Sequence, residues 1–241
     1  MKKTLGIIPA RGGSKRLPGK NIKDFLGKPL IAWTIEVAKE SGVFERLVVL
    51  TDDESIAAVA RRYGAEVPYM EPRELAGDTA YISDALRWVL EQLASTDHYQ
   101  PEYFILLEPS AVGRESRHVK EVVEIMEEHP HFDSLLGVSE VPGHWSHLKQ
   151  YTLKEDGALA RVGDGIAPKY ITHRNQDVEK SYAANSAVYA FRRKNLFEGD
   201  KNLWGECTYG YVMDGSNVAD IDTMEDWMIA EVKITRTVGK L

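Results

Sequence analysis

Between Pro9 and Asn21 the chain reads PARGGSKRLPGKN, which sets Gly12, Gly13 and Gly19 among Arg11, Lys15, Arg16 and Lys20. Glycines let backbone N–H groups turn inward toward an anion, and the neighbouring cations offset its charge, so these types suit a polyphosphate. The spacing excludes two familiar solutions. Five residues separate Gly13 from Gly19 and Asn21 follows Lys20, whereas a P-loop needs four residues and a Ser or Thr. No G-x-G-x-x-G follows the first apolar run, so dinucleotide redox chemistry has no support. A second group stands far along the chain at Asp220-Ile221-Asp222-Thr223. Alternate residues of a strand face the same way, so Asp220 and Asp222 are expected side by side with Ile221 turned into the core. Such a carboxylate pair suits a hard divalent cation such as Mg²⁺, which prefers oxygen ligands and often bridges to substrate phosphates. The competing role is capping, with Asp222 or Thr223 at the N-terminus of a final helix and Glu225 and Asp226 favouring its positive end. Beside a polyphosphate loop, the metal role is the better expectation.

Elements must bring these groups together. The 241 residues are 43% hydrophobic, enough for one well-buried domain and short for two. A formal net charge of −7 argues against a nucleic-acid surface. The single cysteine, Cys207, cannot form an internal disulfide and has no neighbours that would activate a thiolate, which points to a reducing cytoplasm. No stretch approaches the roughly 20 apolar residues that span a bilayer. The run Thr4–Ala10 after MKK ends in Arg11-Gly12-Gly13 and reads as a buried strand, not a signal peptide.

Short apolar runs then alternate with amphipathic segments. Strands are predicted at Leu5–Pro9, Arg46–Thr51, Glu66–Tyr69 and Tyr103–Leu107. Helices are predicted at Pro29–Ser41 (Leu30, Trp33, Val37 and Ala38 on one face), Glu54–Tyr63 ending at Gly64, Ile82–Ala94 with Trp88 in the core, and Ser116–Glu128. Four strand-then-helix units predict an α/β fold, a Rossmann-like, doubly wound, mostly parallel sheet whose ligands bind where the strands end. After Ser134–Val141 the rhythm breaks: residues 142–182 are too long for an ordinary loop and read as a functional or oligomer segment. Strands at Ala187–Phe191 and Gly210–Met213 and a helix at Met224–Ile234 complete a single domain over residues 1–241.

The runs IIPARGGSKRLPGKNIKDFLGKPLI, VVLTDDESIAAVARRYGAEV, ELAGDTA and DIDTMEDW, in this order, resemble the acylneuraminate cytidylyltransferases, the CMP-sialic acid synthetases. The likeness runs over essentially the whole chain, and ARGGSKxxPxKN is its most specific motif. It implies a fold of the nucleotide-diphospho-sugar transferase type. The implied reaction joins CTP to a nine-carbon 2-keto sugar acid of the sialic, legionaminic or pseudaminic type, giving the CMP-sugar and pyrophosphate by direct attack on the α-phosphate. Carried over residue by residue, Arg11, Gly12, Gly13, Ser14 and Lys15 fall on the triphosphate loop, Asn21 on a nucleotide contact and Ala80 near the base. Asp220 and Asp222 fall on the Mg²⁺ carboxylates, and Arg11, Lys15 and this pair are the expected catalytic groups. Glu108, Arg114, Gln176 and Asn185 fall on the acceptor side, and residues 142–182 on a homodimerisation segment that reaches the partner's active site.

Departures cluster away from the phosphate loop. Where the family reads LLQPTSPLR this chain has Leu106-Leu-Glu-Pro-Ser-Ala-Val-Gly-Arg114, placing Glu108 where an amide is usual. The arginine of RPxEL is Glu71, a small polar residue near the base is Ile82, and Ser186 replaces the glycine of NGA(I/V)Y. These changes keep two alternatives open: a nucleotidyltransferase with another base or a sugar phosphate or phosphonate acceptor, and a non-catalytic nucleotide-binding protein. His144 and His147 lack further ligands at zinc spacing and are set aside as a metal site, leaving His144 or His173 as possible sugar-pocket residues. Asp52-Asp53 is expected to cap the helix from Glu54.

Overall fold

The computed structural model describes residues 4–168, 174, 179–214 and 218–238. Its elements run β1 (Thr4–Pro9), a hairpin of β2 (Asp24–Phe25) and β3 (Lys28–Pro29), α1 (Leu30–Ser41), β4 (Arg46–Leu50), α2 (Glu54–Arg62) and α3 (Ile82–Thr96). There follow β5 (Tyr103–Leu106), β6 (Ala111–Val112), α4 (Ser116–Glu128), β7 (Ser134–Glu140) and a hairpin of β8 (Tyr151–Leu153) and β9 (Leu159–Arg161). The chain continues through β10 (Tyr182–Arg192), α5 (Lys194–Phe197), β11 (Thr208–Val212), β12 (Ala219–Asp220) and α6 (Met224–Val238).

Six strands form the main sheet in the order β11-β7-β10-β5-β1-β4. β1 lies parallel to β4 and β5, and β11 parallel to β7, while β10 runs antiparallel between β5 and β7. The sheet is mostly parallel, as its near-continuous apolar strands require when both faces are covered. One face buries Ile8, Val49 and Ile105 against α1, α2 and α4. The other buries Leu5, Ile7, Phe104 and Leu106 against α3 and α5.

A third cluster brings the ends of the chain together. Leu17 from the first loop, Phe25 and Leu30 pack with Val112, Ile221, Trp227 and Ile234. The Phe25 and Trp227 rings meet edge-on with centroids 5.1 Å apart, and enclosing a side chain such as Phe25 contributes about 1.5–3 kcal/mol. This packing carries the Asp220–Asp222 segment to the first loop.

Several expectations need correction. Glu66–Tyr69 is no strand: only Glu66 bridges to β4, because Pro68 has no N–H with which to continue a ladder. Helix α1 buries Leu30, Ile31, Ala32, Thr34, Ile35, Ala38 and Ser41 rather than one stripe, leaving Trp33 and Val37 half-buried. β10 begins five residues before the predicted Ala187, since exposed Tyr182–Ala184 carry no apolar alternation. Residues 142–182 contain the β8–β9 hairpin, closed through Gly157 at φ 83° and separate from the main sheet. Among the described residues no helix is long and apolar enough to cross a membrane.

Candidate active site

At the carboxyl edge of the sheet the Ala10 N–H donates to the Leu50 carbonyl (2.8 Å) and the Leu107 N–H to the Ile7 carbonyl (3.0 Å). The loops after β1, β4 and β5 therefore leave the sheet together, and those after β1 and β5, with Asp222, enclose a cleft of about 420 Å³ lined by Arg11, Ser14, Lys15, Lys20, Asn21, Glu108 and Asp222. The Gly12 N–H donates to Asp52 Oδ1 at 2.8 Å, and a Cβ on Gly12 would stand 2.8 Å from Asp53 Oδ2, so a larger residue there would displace the Asp53 side chain. Asn21 closes the loop from within by donating its amide to the Arg11 carbonyl at 3.2 Å. The expected cap divides in two: Asp53 accepts from the Ser55 and Ile56 N–H groups (2.7 and 3.1 Å) and caps α2, while Asp52 holds the glycine loop.

The cations line the cleft in two pairs. Lys15 Nζ lies 2.6 Å and Arg11 Nη1 3.6 Å from the Asp78 carboxylate. The hydrogen bond from Lys15, with the Arg11 charge behind it, holds the Asp78 carboxyl below its usual range. Arg16 and Lys20 reach Asp222 at 3.1 and 3.3 Å, so Asp222, which has no counter-ion in its own segment, receives two from the first loop. Asp78, in the run ELAGDTA, is a participant that the sequence signalled only through its motif.

The capping alternative for Asp222 resolves at its neighbours. Asp226 Oδ2 accepts from the Thr223 N–H at 2.8 Å and Thr223 Oγ1 accepts from the Asp226 N–H at 3.2 Å, so these two residues cap α6. Ile221 is fully buried as expected, with Asp220 and Asp222 exposed on either side of it. Among the described residues no group of three or more His, Cys, Asp or Glu side chains is arranged to hold a metal ion, His144 and His147 included. Asp220 and Asp222 are hard, anionic oxygen donors, which fit a Mg²⁺ that completes its shell with water and phosphate oxygens, with Arg16 and Lys20 on Asp222 in this structure.

Glu108 is half-buried between Lys20 and the aspartates; burial, then the Asp220 charge, pushes its carboxyl up to about 7. Its tie to Arg114 runs through the main chain. Arg114 is 5% exposed, and its guanidinium donates to the carbonyls of Glu108 (2.9 Å), Ala111 (3.4 Å) and Ala187 and to Thr34 Oγ1 (3.3 Å). Arg114, expected on the acceptor side, is thus tied into the fold through these bonds, and burial lowers its pKa to about 10. Asn185 is likewise engaged within the sheet, donating to Ser139 Oγ (3.1 Å) and accepting from the Ala187 N–H (3.1 Å). It sits where β10 slips register against β7, beside Ser186 at φ 58°, a left-handed conformation that glycine adopts more easily. Gln176 and His173 lie outside the described residues.

A second cavity of about 280 Å³ adjoins the first through Pro9, Arg11 and Glu108. Ala80, expected near a base, lines it with Leu50, Leu75, Ile82 and Ala85. Glu71, 8% exposed, is also in its wall. The molecule thus joins a basic, carboxylate-rimmed cleft to a smaller compartment in which apolar side chains stand beside Arg11, Glu71, Asp78 and Glu108.

Comparison with known proteins places the chain in a family. The family model described as cytidylyltransferase matches residues 5–129. A pseudaminic acid cytidylyltransferase of Campylobacter jejuni (strain 81-176) is 33% identical over 230 residues, 95% of this chain and 95% of that protein. A CMP-N,N'-diacetyllegionaminic acid synthase of Legionella pneumophila (strain Philadelphia 1) is 34% identical over 236 residues, 94% of each. Among solved structures, CMP:2-keto-3-deoxy-manno-octonic acid synthetase complexed with CTP superposes with a TM-score of 0.72 at 18% identity, covering 98% of this chain and 99% of that one, a likeness of fold.

Proposed function

Because the chain belongs to the cytidylyltransferase family, we propose that it couples CTP to the anomeric hydroxyl of a nine-carbon 2-keto sugar acid of the pseudaminic, legionaminic or sialic type. The hydroxyl oxygen forms a bond to the α-phosphorus, the bond from that phosphorus to the β-bridging oxygen breaks, pyrophosphate leaves and the hydroxyl proton passes to solvent. The observation that carries this reading is the cleft itself, where Arg11, Lys15, Arg16 and Lys20 of one loop face Asp222 and Asp78.

In this reading Arg11, Lys15 and the backbone at Gly12–Ser14 hold the triphosphate, Asn21 keeps the loop shaped for the nucleotide, and Ala80 lies along the base. Glu108 faces the acceptor, with Gln176 assigned to the acceptor by resemblance alone. No covalent nucleophile is required, so positioning and charge neutralisation do the catalysis. Asp220 and Asp222 would hold Mg²⁺, which when bound polarises the α-phosphate. Arg16 and Lys20, already within reach of Asp222, moderate its charge and orient it.

Residues 1–241 act as one nucleotidyltransferase unit in a homodimer, with residues 142–182 as the contact; Trp145 at 65% and Leu153 at 73% exposure support this. The exposed free thiol of Cys207 and the need for CTP support a cytoplasmic setting. The test is pyrophosphate release from each of the four NTPs with Mg²⁺ and a panel of sugar acids. Release with CTP and a nine-carbon acid is expected. Release confined to another nucleotide or to a phosphorylated acceptor would transfer the assignment to that substrate.

A further inference from the structure

Glu71 has no role in the scheme above, yet it is a nearly buried carboxylate in the wall of the smaller cavity. Its backbone is fixed, the N–H donating to the Thr51 carbonyl at 2.8 Å. Among the described residues none donates a hydrogen bond to its carboxylate; its neighbours act on it through charge, Asp52 unfavourably and Arg11 favourably. Burial, then Asp52, pushes the carboxyl up to about 7. A buried polar group without a partner is costly, and where it lines a cavity a donor on the ligand removes that cost. Leu50, Leu75, Ala80, Ile82 and Ala85 supply the apolar part of the wall, which suits the faces of a flat ring, while Arg11, Asp78 and Glu108 carry its other charges.

We propose that Glu71 is the base-specificity residue of this enzyme, its carboxylate accepting a hydrogen bond from the exocyclic amino group of cytosine and rejecting the keto oxygen that uracil presents at the same position. The chemistry is that by which a carboxylate reads a cytosine amino group elsewhere, where one well-placed contact discriminates by about 1–3 kcal/mol, or roughly 5- to 150-fold. Neither the phosphate cations nor the aspartate pair distinguishes CTP from UTP, so base selection falls to this compartment. The inference rests on the cytidylyltransferase reading, which puts the base there.

Isothermal titration of the full-length protein with CTP and with UTP, in Mg²⁺, tests it using wild type, Glu71→Gln and Glu71→Asp. Wild type is expected to prefer CTP. In Glu71→Gln the amide can turn its NH₂ toward a keto oxygen, so the CTP:UTP affinity ratio falls at least about 5-fold, whereas Glu71→Asp, retaining the carboxylate, keeps more of the preference. An unchanged ratio in a folded Glu71→Gln protein, or a folded Glu71→Asp protein no more selective than Gln, overturns the role of Glu71 while leaving the enzyme assignment intact. A wild-type protein that binds neither nucleotide, or prefers UTP, overturns the underlying reading instead.

Discussion

At the scale of single residues, Asp222 and Glu71 carry opposite relations between stability and function. Asp222 is exposed, freed from capping by Thr223 and Asp226, and paired with the exposed Arg16 and with Lys20, whose ammonium also donates to the Ile221 carbonyl. Its replacement should therefore leave the fold and remove the chemistry. Asp222→Asn is expected to lower turnover at least about 100-fold while shifting Tm by no more than about 2–4 °C. Near-normal activity across a Mg²⁺ titration would refute the metal role. Glu71 is held in the fold at a cost that depends on pH. Its folded pKa is raised from 4.5 to about 7, so the folded state binds the proton more tightly and stability falls as pH rises through that window. Glu71→Gln should gain about 1–3 kcal/mol at pH 8 and nothing below pH 4, measured by urea unfolding at both pH values. A gain of equal size at both would show that ionisation is not the cause.

The elements were legible wherever a local pattern decides them. The PARGGSKRLPGKN loop, the buried first strand and helices such as Ser116–Glu128 are set by period, charge and glycine placement, and they stand as the sequence indicates. Legibility failed where distant packing decides. Arg114 reads from its motif as a ligand residue, yet it serves as a tie between the β5–α4 connection, α1 and β10 through groups that no local pattern brings near. Likewise the counter-ions of Asp222 come from the opposite end of the sequence, and the early start of β10 follows from pairing with β7 rather than from its own alternation. Because Arg114 satisfies several buried carbonyls, Arg114→Met should lose about 2–4 kcal/mol in equilibrium urea unfolding. A loss under about 0.5 kcal/mol would mean that water or relaxation replaces those bonds.

For the whole molecule, the sheet order and the third core cluster explain why a motif near residue 11 and one near residue 222 form one site: Leu17, Phe25, Ile221 and Trp227 share a single apolar contact. The same scale holds the assembly prediction. Leu153→Glu combined with Trp145→Glu places charge on two exposed apolar side chains within residues 142–182, and the double variant should raise the dissociation constant of the proposed homodimer at least about 10-fold in sedimentation velocity, with an unchanged circular dichroism spectrum. An undiminished dimer would put the contact elsewhere.

The central claim is that the cleft transfers CMP from CTP to the anomeric oxygen of a sugar acid. Mass spectrometry of a Mg²⁺ reaction containing CTP and pseudaminic, legionaminic or N-acetylneuraminic acid tests it most directly. The account predicts a CMP-linked sugar acid accumulating in step with pyrophosphate in wild type and not in Asp222→Asn. CTP left intact with every acid, or cytidine nucleotides hydrolysed without any coupled product, would contradict it.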